Sequence, residues 1–451
     1  MTEWHPDRET LERFLDDELP EEQSRTLQRH IFTCSGCEQN LIEILPALAC
    51  AGGEDMDVPG YRALFRQVLQ EARQRGAQRR ALLARERKEA RTLWREVASL
   101  DLAAWRELVW EDARFQSWGF FELLVDKARW MVLEDPRKAE EMIRLSLDVT
   151  EHLDPERYGP GSVESAKART WASLGNALRI LADFRQAEQA FRQADSYLLA
   201  GWLDPLDEAL LLEYKASLRR AQRRFDEALQ MLDSAISLYR EVNEPQGQGR
   251  ALMGKGLVLR YADNPAAASA CFRESLFLLD GSEEPRLLAL SQVNLIGCLV
   301  DSGRSAEAAA LIPESIKLIE EVGKRCDLLH LRWMEGLAAM NLGQNDKAER
   351  IFIELIGAFT EDRLPYNVAL VALDLSGVYA RQGRTADVKH LASRMLPIFR
   401  SCEVHREALA ALIVFQKAAE MEQLSVGLVD EVTTFLQRVQ RNPDLRFREN
   451  D

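Results

Sequence analysis

The segment 171–194, WASLGNALRILADFRQAEQAFRQA, has the pattern of two helices that pack closely and are joined by a short turn. It starts with the large residue Trp171, and the small residues Gly175 and Ala187 are followed by Phe191. Small residues let two helices approach closely, while the large aromatic side chains fill the space around their contact. The segment therefore predicts an antiparallel helical hairpin.

The same pattern recurs along the chain at nearly constant spacing. The small residue that marks the second helix appears in steps of 41, 40, 40, 40 and 40 residues. The marker positions are Ala187, Ala228, Ala268, Ala308, Ala348 and Val388, with an earlier, weaker copy at Ala139. The residue twelve before each marker is mostly small, and the residue four after it is mostly large. Repetition of this kind predicts tandem helical hairpins.

This pattern resembles the tetratricopeptide (TPR) repeat, in which a large residue, a Leu-Gly pair, an alanine, an aromatic residue and a second alanine recur. The resemblance implies an all-α, TPR-like right-handed α-solenoid over residues 99–400, closed by capping helices and a tail at 401–451. A standard repeat spans ~34 residues, so the period of 40 predicts either longer helices or longer loops. Gly303, Gly343 and Gly383 each stand five residues before a marker, where the first helix would end.

The first forty residues carry a metal-binding pattern, His30-x3-Cys34-x2-Cys37. His30 and Cys34 are four residues apart and share one helix face, and a Cys-x2-Cys turn lets two thiolates point at one centre. A closed structural zinc site has four nitrogen or sulfur ligands, so His5 is predicted as the remaining ligand of a structural Zn²⁺. The alternative is two buried thiols and a surface histidine without a metal.

Residues 1–75 resemble the zinc-binding anti-sigma domain of bacterial extracytoplasmic-function sigma regulators. The resemblance rests on the His-x3-Cys-x2-Cys run, on His5-Pro6, on FLDDEL at 14–19 and on Val58-Pro59 ahead of a helix. It implies a small zinc-stapled helical domain at residues 1–50 and a sigma factor as partner, bound through residues 1–75. The zinc ion would act structurally, by holding the helices that form the binding face.

Residues 51–98 are predicted to be a loop followed by a basic connector helix, either continuous or broken at Gly76. From Tyr61 to Ala98, eleven arginines and lysines are answered by four glutamates. Three interpretations stay open: a solvated connector, a surface for an acidic partner or for the protein's own acidic surface, and a joint that a protease cuts between two modules.

Composition bounds the class of protein. The chain has 451 residues, is 46% hydrophobic and carries a net charge of −15, which argues against general nucleic-acid binding. It contains no apolar run near the ~20 residues of a membrane span, and its first residues lack the features of a signal peptide. Seven cysteines suit a reducing compartment. These features predict a cytoplasmic protein without a membrane segment.

Three arginines, Arg179, Arg220 and Arg260, stand eight residues before the marker in successive repeats. Equivalent positions stack in a solenoid, and first helices line the groove of TPR domains. The three residues therefore predict a basic ladder that binds an acidic peptide or helix. The alternative is that each arginine caps the C-terminus of its helix and pairs with a neighbouring glutamate.

No catalytic set stands out in the sequence. Cys326 and His330, like Cys402 and His405, have the spacing of ligands or of a protease pair, but no second pair and no orienting group lies nearby in the sequence. They are interpreted as ordinary buried or surface side chains, and the chain is predicted not to be an enzyme.

Two functions follow from these observations. The first is a soluble anti-sigma-like factor, whose zinc domain binds a sigma factor and whose solenoid binds a sensor or effector. The alternative is a scaffold or adaptor that recruits a protease or a signalling complex without binding a sigma factor. Cleavage in the basic connector would fit either one.

Overall fold

The structure is a computed structural model of the chain. It describes residues 5–15, 58–98, 102–132, 134–201, 204–401 and 426–441, together with positions 19, 23, 27, 30, 31, 37, 40, 41, 100 and 415. Of the residues singled out in the sequence, Cys34, Cys402 and His405 lie outside this set.

The described residues form helices and contain no strand. Ahead of the helix pairs, the helices with described bounds are α1 (Arg8–Leu15), α2 (Val58–Val97), α3 (Leu102–Glu111), α4 (Trp118–Met131), α5 (Pro136–Glu151) and the single turn α6 (Pro155–Tyr158). Six pairs follow: α7 (Pro160–Ile180) and α8 (Phe184–Ala200), α9 (Pro205–Ala221) and α10 (Phe225–Glu241), α11 (Pro245–Tyr261) and α12 (Pro265–Leu278), α13 (Pro285–Asp301) and α14 (Ser305–Val322), α15 (Arg325–Asn341) and α16 (Asn345–Glu361), α17 (Pro365–Arg381) and α18 (Thr385–Ser401). The last described helix is α19 (Val426–Arg441).

The chain divides into two compact units, residues 1–214 with 241–243 and residues 215–240 with 244–451. In the first unit α2 packs on α4, α4 on α5, α5 on α7 and α7 on α8. In the second unit each helix from α11 to α18 packs on the next, and α19 packs on α17. Consecutive packed helix pairs of this kind confirm the predicted all-α, TPR-like α-solenoid.

The repeat length follows from long helices. In the repeat that starts at α15, both helices have 17 residues, and three-residue connections at 342–344 and 362–364 follow them. The period of 40 therefore comes from longer helices and not from longer loops. Proline occupies the first turn of α11, α13 and α17, where its missing N–H leaves no hydrogen bond unmade.

Two residues after the end of each first helix of the six pairs stands a residue with left-handed backbone. These residues are Ala182, Arg223, Asp263, Gly303, Gly343 and Gly383, with φ between 61° and 74°. The next residue then donates its N–H to a carbonyl five positions back, as Gln344 does to Ala339 at 2.9 Å. This is the hydrogen bond of a Schellman motif. The three glycines were predicted; the sequence did not reveal the non-glycine residues, which carry strain of roughly 1 kcal/mol each.

In three of the hairpins, α7/α8, α11/α12 and α15/α16, the close approach of the two helices depends on a missing side chain. A Cβ atom added to Gly336 would lie 2.5 Å from Cε1 of Phe352, closer than real contacts allow. Gly175 stands in the same relation to Phe191, and Phe352 is fully buried. The predicted role of these small residues is thereby confirmed.

The basic helix α2 is part of the packed array. It runs without interruption from Val58 to Val97, so the break considered at Gly76 does not occur. Its second half buries Ala90, Leu93 and Val97. No helix among the described residues combines the length and the apolar character that a membrane span requires.

We predict that Gly336→Ala destabilises the protein by about 1–3 kcal/mol, because the new methyl group overpacks the ring of Phe352. Adding Phe352→Leu should relieve the overlap, since the second repeat pair already combines Ala216 with Leu232 at the equivalent positions. Urea unfolding of the two single variants and the double variant measures the coupling. The coupling free energy should be at least about 0.5 kcal/mol, with the double variant more stable than the sum of the two single effects predicts. Purely additive effects would contradict the proposed contact.

Candidate functional site

The structure brings together three of the four predicted metal ligands. His5 precedes α1, whose first turn is capped by Asp7 through a 2.9 Å hydrogen bond from the Thr10 N–H. His5 Nδ1 lies 3.3 Å and His30 Nε2 lies 3.1 Å from Cys37 Sγ. The three ligand atoms all lie within 4.8 Å of one another, and Cys37 is buried.

The donor set suits zinc. Two imidazole nitrogens and a thiolate are usual zinc ligands, and nitrogen and sulfur atoms on one tetrahedral zinc lie about 3.5 Å apart. The 3.1 and 3.3 Å separations are close to that value. A small apolar core accompanies the cluster and consists of Leu11, Leu19, Leu27, Ile31 and Leu41. Zinc binding itself, and the part of Cys34 in it, stay predictions.

A second site is a groove in the second unit. It is lined entirely by first helices of consecutive repeats, α11, α13, α15 and α17, and its volume is about 370 Å³. We call it the first-helix groove. The residues that line it are Leu257, Arg260, Tyr261, Asn294, Asp301, His330, Trp333, Met334, Leu337, Asn367 and Leu370. First helices thus form a groove, as the repeat pattern predicted.

Arg260 is the best-fixed cation of the first-helix groove. Its guanidinium lies 3.3 Å from a carboxylate oxygen of Asp301 and donates to the side-chain oxygen of Asn294 at 3.3 Å. Asn294 is itself oriented by a 2.8 Å bond from Nδ2 to the Leu290 carbonyl. Room for the guanidinium comes from Gly297, where a Cβ would lie 2.7 Å from Arg260 Nη2. The cation is therefore held in place by the next repeat.

Two further contacts join consecutive first helices. The guanidinium of Arg220 lies 5.4 Å from the ring centre of Tyr261, and burial lowers the pKa of this arginine from its ordinary value. Trp333 donates from Nε1 to the buried carboxylate of Asp374 at 2.6 Å. In each of these pairs, as in Arg260 and Asp301, the two residues are 41 positions apart, which is one 40-residue repeat plus one position.

The structure places all three ladder arginines in the last turn of a first helix. Arg179 bonds Asn176 on its own helix at 2.8 and 3.1 Å. The contacts of these arginines include an amide for Arg179, an aromatic ring for Arg220, and an aspartate with an amide for Arg260. Binding of a partner by these residues stays a prediction.

Several groove residues were missed by sequence reasoning. His330 was weighed only with Cys326, yet its ring lies in the groove, 6.3 Å from the ring of Trp333, and its Nδ1 is 2.8 Å from the Cys326 carbonyl oxygen. Asn294 and Asn367 were not predicted as site residues. The repeat pattern could have indicated them, because first helices of successive repeats lie side by side in a solenoid and their polar residues share one surface.

Comparison with known proteins agrees with this architecture. Residues 168–197 and 207–278 match models of the tetratricopeptide repeat. No curated protein matches the chain by sequence. The fold is similar to a Rap protein solved in complex with competence and sporulation factor, at 12% identity and TM-score 0.51, over 72% of this chain and 88% of that one. It is also similar to the apo form of RapI, at 12% identity and TM-score 0.52, over 70% and 86% of the two chains.

These findings define the class of the protein. The chain contains tetratricopeptide repeats, and the likeness to the Rap proteins shows a shared fold. Such an array is an interaction fold, in which neighbouring helix pairs present a continuous surface to peptides or proteins.

We predict that the purified full-length chain carries about one zinc ion, because closed sites bind this metal tightly. Cys37→Ser should remove the metal and His30→Ala should weaken its retention, as measured by metal analysis after dialysis. Cys326→Ser is the matched control, because Cys326 and His330 have the same four-residue spacing as His30 and Cys34. Zinc missing from the wild type, or retained in Cys37→Ser, would contradict the site.

Proposed function

We propose that this protein is a regulatory interaction protein whose first-helix groove binds an extended peptide or protein segment. The observation that carries the proposal is the groove itself, since four successive first helices supply apolar and polar side chains to one surface. An extended ligand needs pockets for its side chains and fixed polar groups for its backbone.

The chemistry of the groove suits such a ligand. Leu257 and Met334 are half-buried and offer apolar contact above the buried Trp333, Leu337 and Leu370, and Asn367 offers an amide that can pair with a peptide bond. The Arg260–Asp301 contacts are long, at 3.3 and 3.4 Å. A carboxylate on the ligand could therefore share the guanidinium without breaking a short ion pair.

The similar Rap protein supports this reading of the groove. That protein was solved in complex with competence and sporulation factor, so a solenoid of this fold accommodates another molecule. Whether the ligand of the present chain is a free peptide or a segment of a protein depends on its own groove residues.

We further propose that the N-terminal region binds a sigma factor. The resemblance of residues 1–75 to anti-sigma domains and the cluster of His5, His30 and Cys37 support this proposal. A zinc ion held by these residues with Cys34 would fix the helices that form the binding face, and it would have no part in a reaction. The groove ligand would then be the signal or the effector.

The adaptor function is the second candidate. Here the N-terminal region and the solenoid would each recruit a protein without a role in transcription. Cleavage by a protease within the basic helix would fit this candidate as well as the anti-sigma function. It would require local unwinding, because residues 58–97 form one helix.

A peptide selection tests the groove. Peptides enriched from a random library on the full-length chain should bind Met334→Ala/Asn367→Ala at least about ten-fold more weakly, because this double change removes apolar contact and an amide from the groove. Glu274→Ala/Arg350→Ala, which alters exposed residues of second helices, is the matched control. Equal loss in the two double variants, or no enriched peptide, would contradict groove binding.

Binding to purified sigma factors of the host tests the N-terminal proposal. The zinc-loaded chain should bind one of them, and Cys37→Ser should weaken that binding at least about ten-fold because the binding face loses its staple. The groove variant Met334→Ala/Asn367→Ala should bind the sigma factor like wild type. If no sigma factor of the host binds, the anti-sigma function is wrong and the adaptor function is preferred.

A further inference from the structure

The helices α2 and α4 of the first unit form a groove on the surface, with a volume of about 510 Å³. We call it the α2–α4 groove. From α2 it receives Arg87, Arg91, Trp94 and Arg95, and from α4 it receives Lys127 and Trp130, among others. Neither proposed function uses it.

The groove is held in shape by the crossing of the two helices. Gly119 of α4 lies against the backbone of α2, where a Cβ would be 2.4 Å from the carbonyl carbon of Glu86. Arg87 donates two hydrogen bonds to Glu122, at 2.6 and 2.8 Å, and Trp118 donates a third at 2.8 Å. These bonds fix the walls before any partner arrives, which lowers the entropy lost on binding.

A second network fixes the same stretch of α2. The carboxylate of Glu86 is buried and accepts hydrogen bonds from the hydroxyl of Tyr158, at 2.8 Å, and from Arg157. Burial raises the pKa of Tyr158 to about 12, so the hydroxyl stays protonated and continues to donate. The α2–α4 groove is thus a preformed surface.

Most of the charge in the α2–α4 groove that no ion pair among the described residues neutralises is positive. Arg91 and Arg95 are exposed, and neither forms an ion pair with any residue that the structure describes. Lys127 places its ammonium 4.3 Å from the centre of the Trp94 ring. Glu122 is engaged by Arg87 and Trp118, which leaves Asp126 as the other acid of the groove. Such a cationic surface on a chain of net charge −15 is complementary to an acidic ligand.

The groove also offers aromatic surface. Trp130 is 66% exposed, and Trp94, which is half-buried, lines the same groove. Tryptophan and arginine are the residue types that dominate binding energy in protein interfaces. Apolar and charged contacts are therefore available in one place.

We propose that the α2–α4 groove docks an acidic segment of a partner protein. Its carboxylates pair with Arg91 and Arg95, and a large apolar side chain of the segment packs on Trp94 and Trp130. A protein segment fits better than a nucleic acid, because Glu122 and Asp126 in the same groove would repel phosphates and the whole chain is acidic.

The test uses the full-length chain and a set of fluorescein-labelled helical peptides of equal length. The peptides share their leucines and tryptophans and differ in carrying glutamate, glutamine or lysine at the other positions. Fluorescence anisotropy should show the glutamate peptide binding at least about ten-fold more tightly than the glutamine peptide, with an affinity that falls as salt rises. Equal binding of the two peptides would overturn the proposal.

Variants locate the binding. Arg91→Glu/Arg95→Glu and, separately, Trp130→Ala should each weaken the glutamate peptide on the order of ten-fold. The matched control is Arg137→Glu/Arg185→Glu, which changes net charge equally at exposed residues of α5 and α8 and should have little effect. All of these residues are exposed, so thermal unfolding should be unchanged. A control variant that weakens binding as much as Arg91→Glu/Arg95→Glu would overturn the proposal. Displacement of the labelled peptide by oligothymidylate at a lower concentration than the unlabelled glutamate peptide requires would also overturn it, because that result would show a nucleic-acid surface.

Discussion

The packing of a phenylalanine ring into the space left by a glycine is the contact on which the rest of this structure depends. At Gly336 and Phe352 the first helix presents bare backbone to the aromatic ring of the second, and the two helices come as close as helices can. The same relation holds at Gly175 with Phe191. Because the repeats have nearly constant length, the first helices of neighbouring repeats in the second unit present equivalent positions side by side.

That register places contacts that stabilise the second unit at the first-helix groove. Arg220 meets Tyr261, Arg260 meets Asp301, and Trp333 meets Asp374, each pair one repeat and one position apart. In a solenoid each repeat is stabilised mainly by its neighbours, so contacts between adjacent first helices hold the array together. Of these side chains, Tyr261, Arg260, Asp301 and Trp333 also line the first-helix groove, so a ligand there would contact groups that are already oriented by the fold.

The first unit shows how a charged helix becomes part of a packed array. The arginine-rich helix α2 buries one row of apolar side chains, and its ion pairs include Arg87 with Glu122 and Glu86 with Arg157. Positive charges outside these pairs, among them Arg91 and Arg95, are therefore presented on a rigid support. An unpacked connector of the same composition would carry the same positive charges but would not hold them in the fixed arrangement of the α2–α4 groove.

The sequence by itself determined the periodic features: the hairpins, their period of 40 residues, the small and large positions of each contact, and helix ends at glycine. These features depend on contacts within one hairpin, so they repeat and are visible as a pattern. Only the tertiary structure decided the rest. It paired Arg260 with Asp301, set Trp130 beside the basic helix, brought His5, His30 and Cys37 within ligand distance of one another, and placed Ala182, Arg223 and Asp263 in left-handed backbone. Most of these contacts join residues from different helices and do not recur in every repeat, so no repeating pattern in the sequence predicts them. The left-handed residues are held by the turn around them, and their residue types do not predict that backbone conformation.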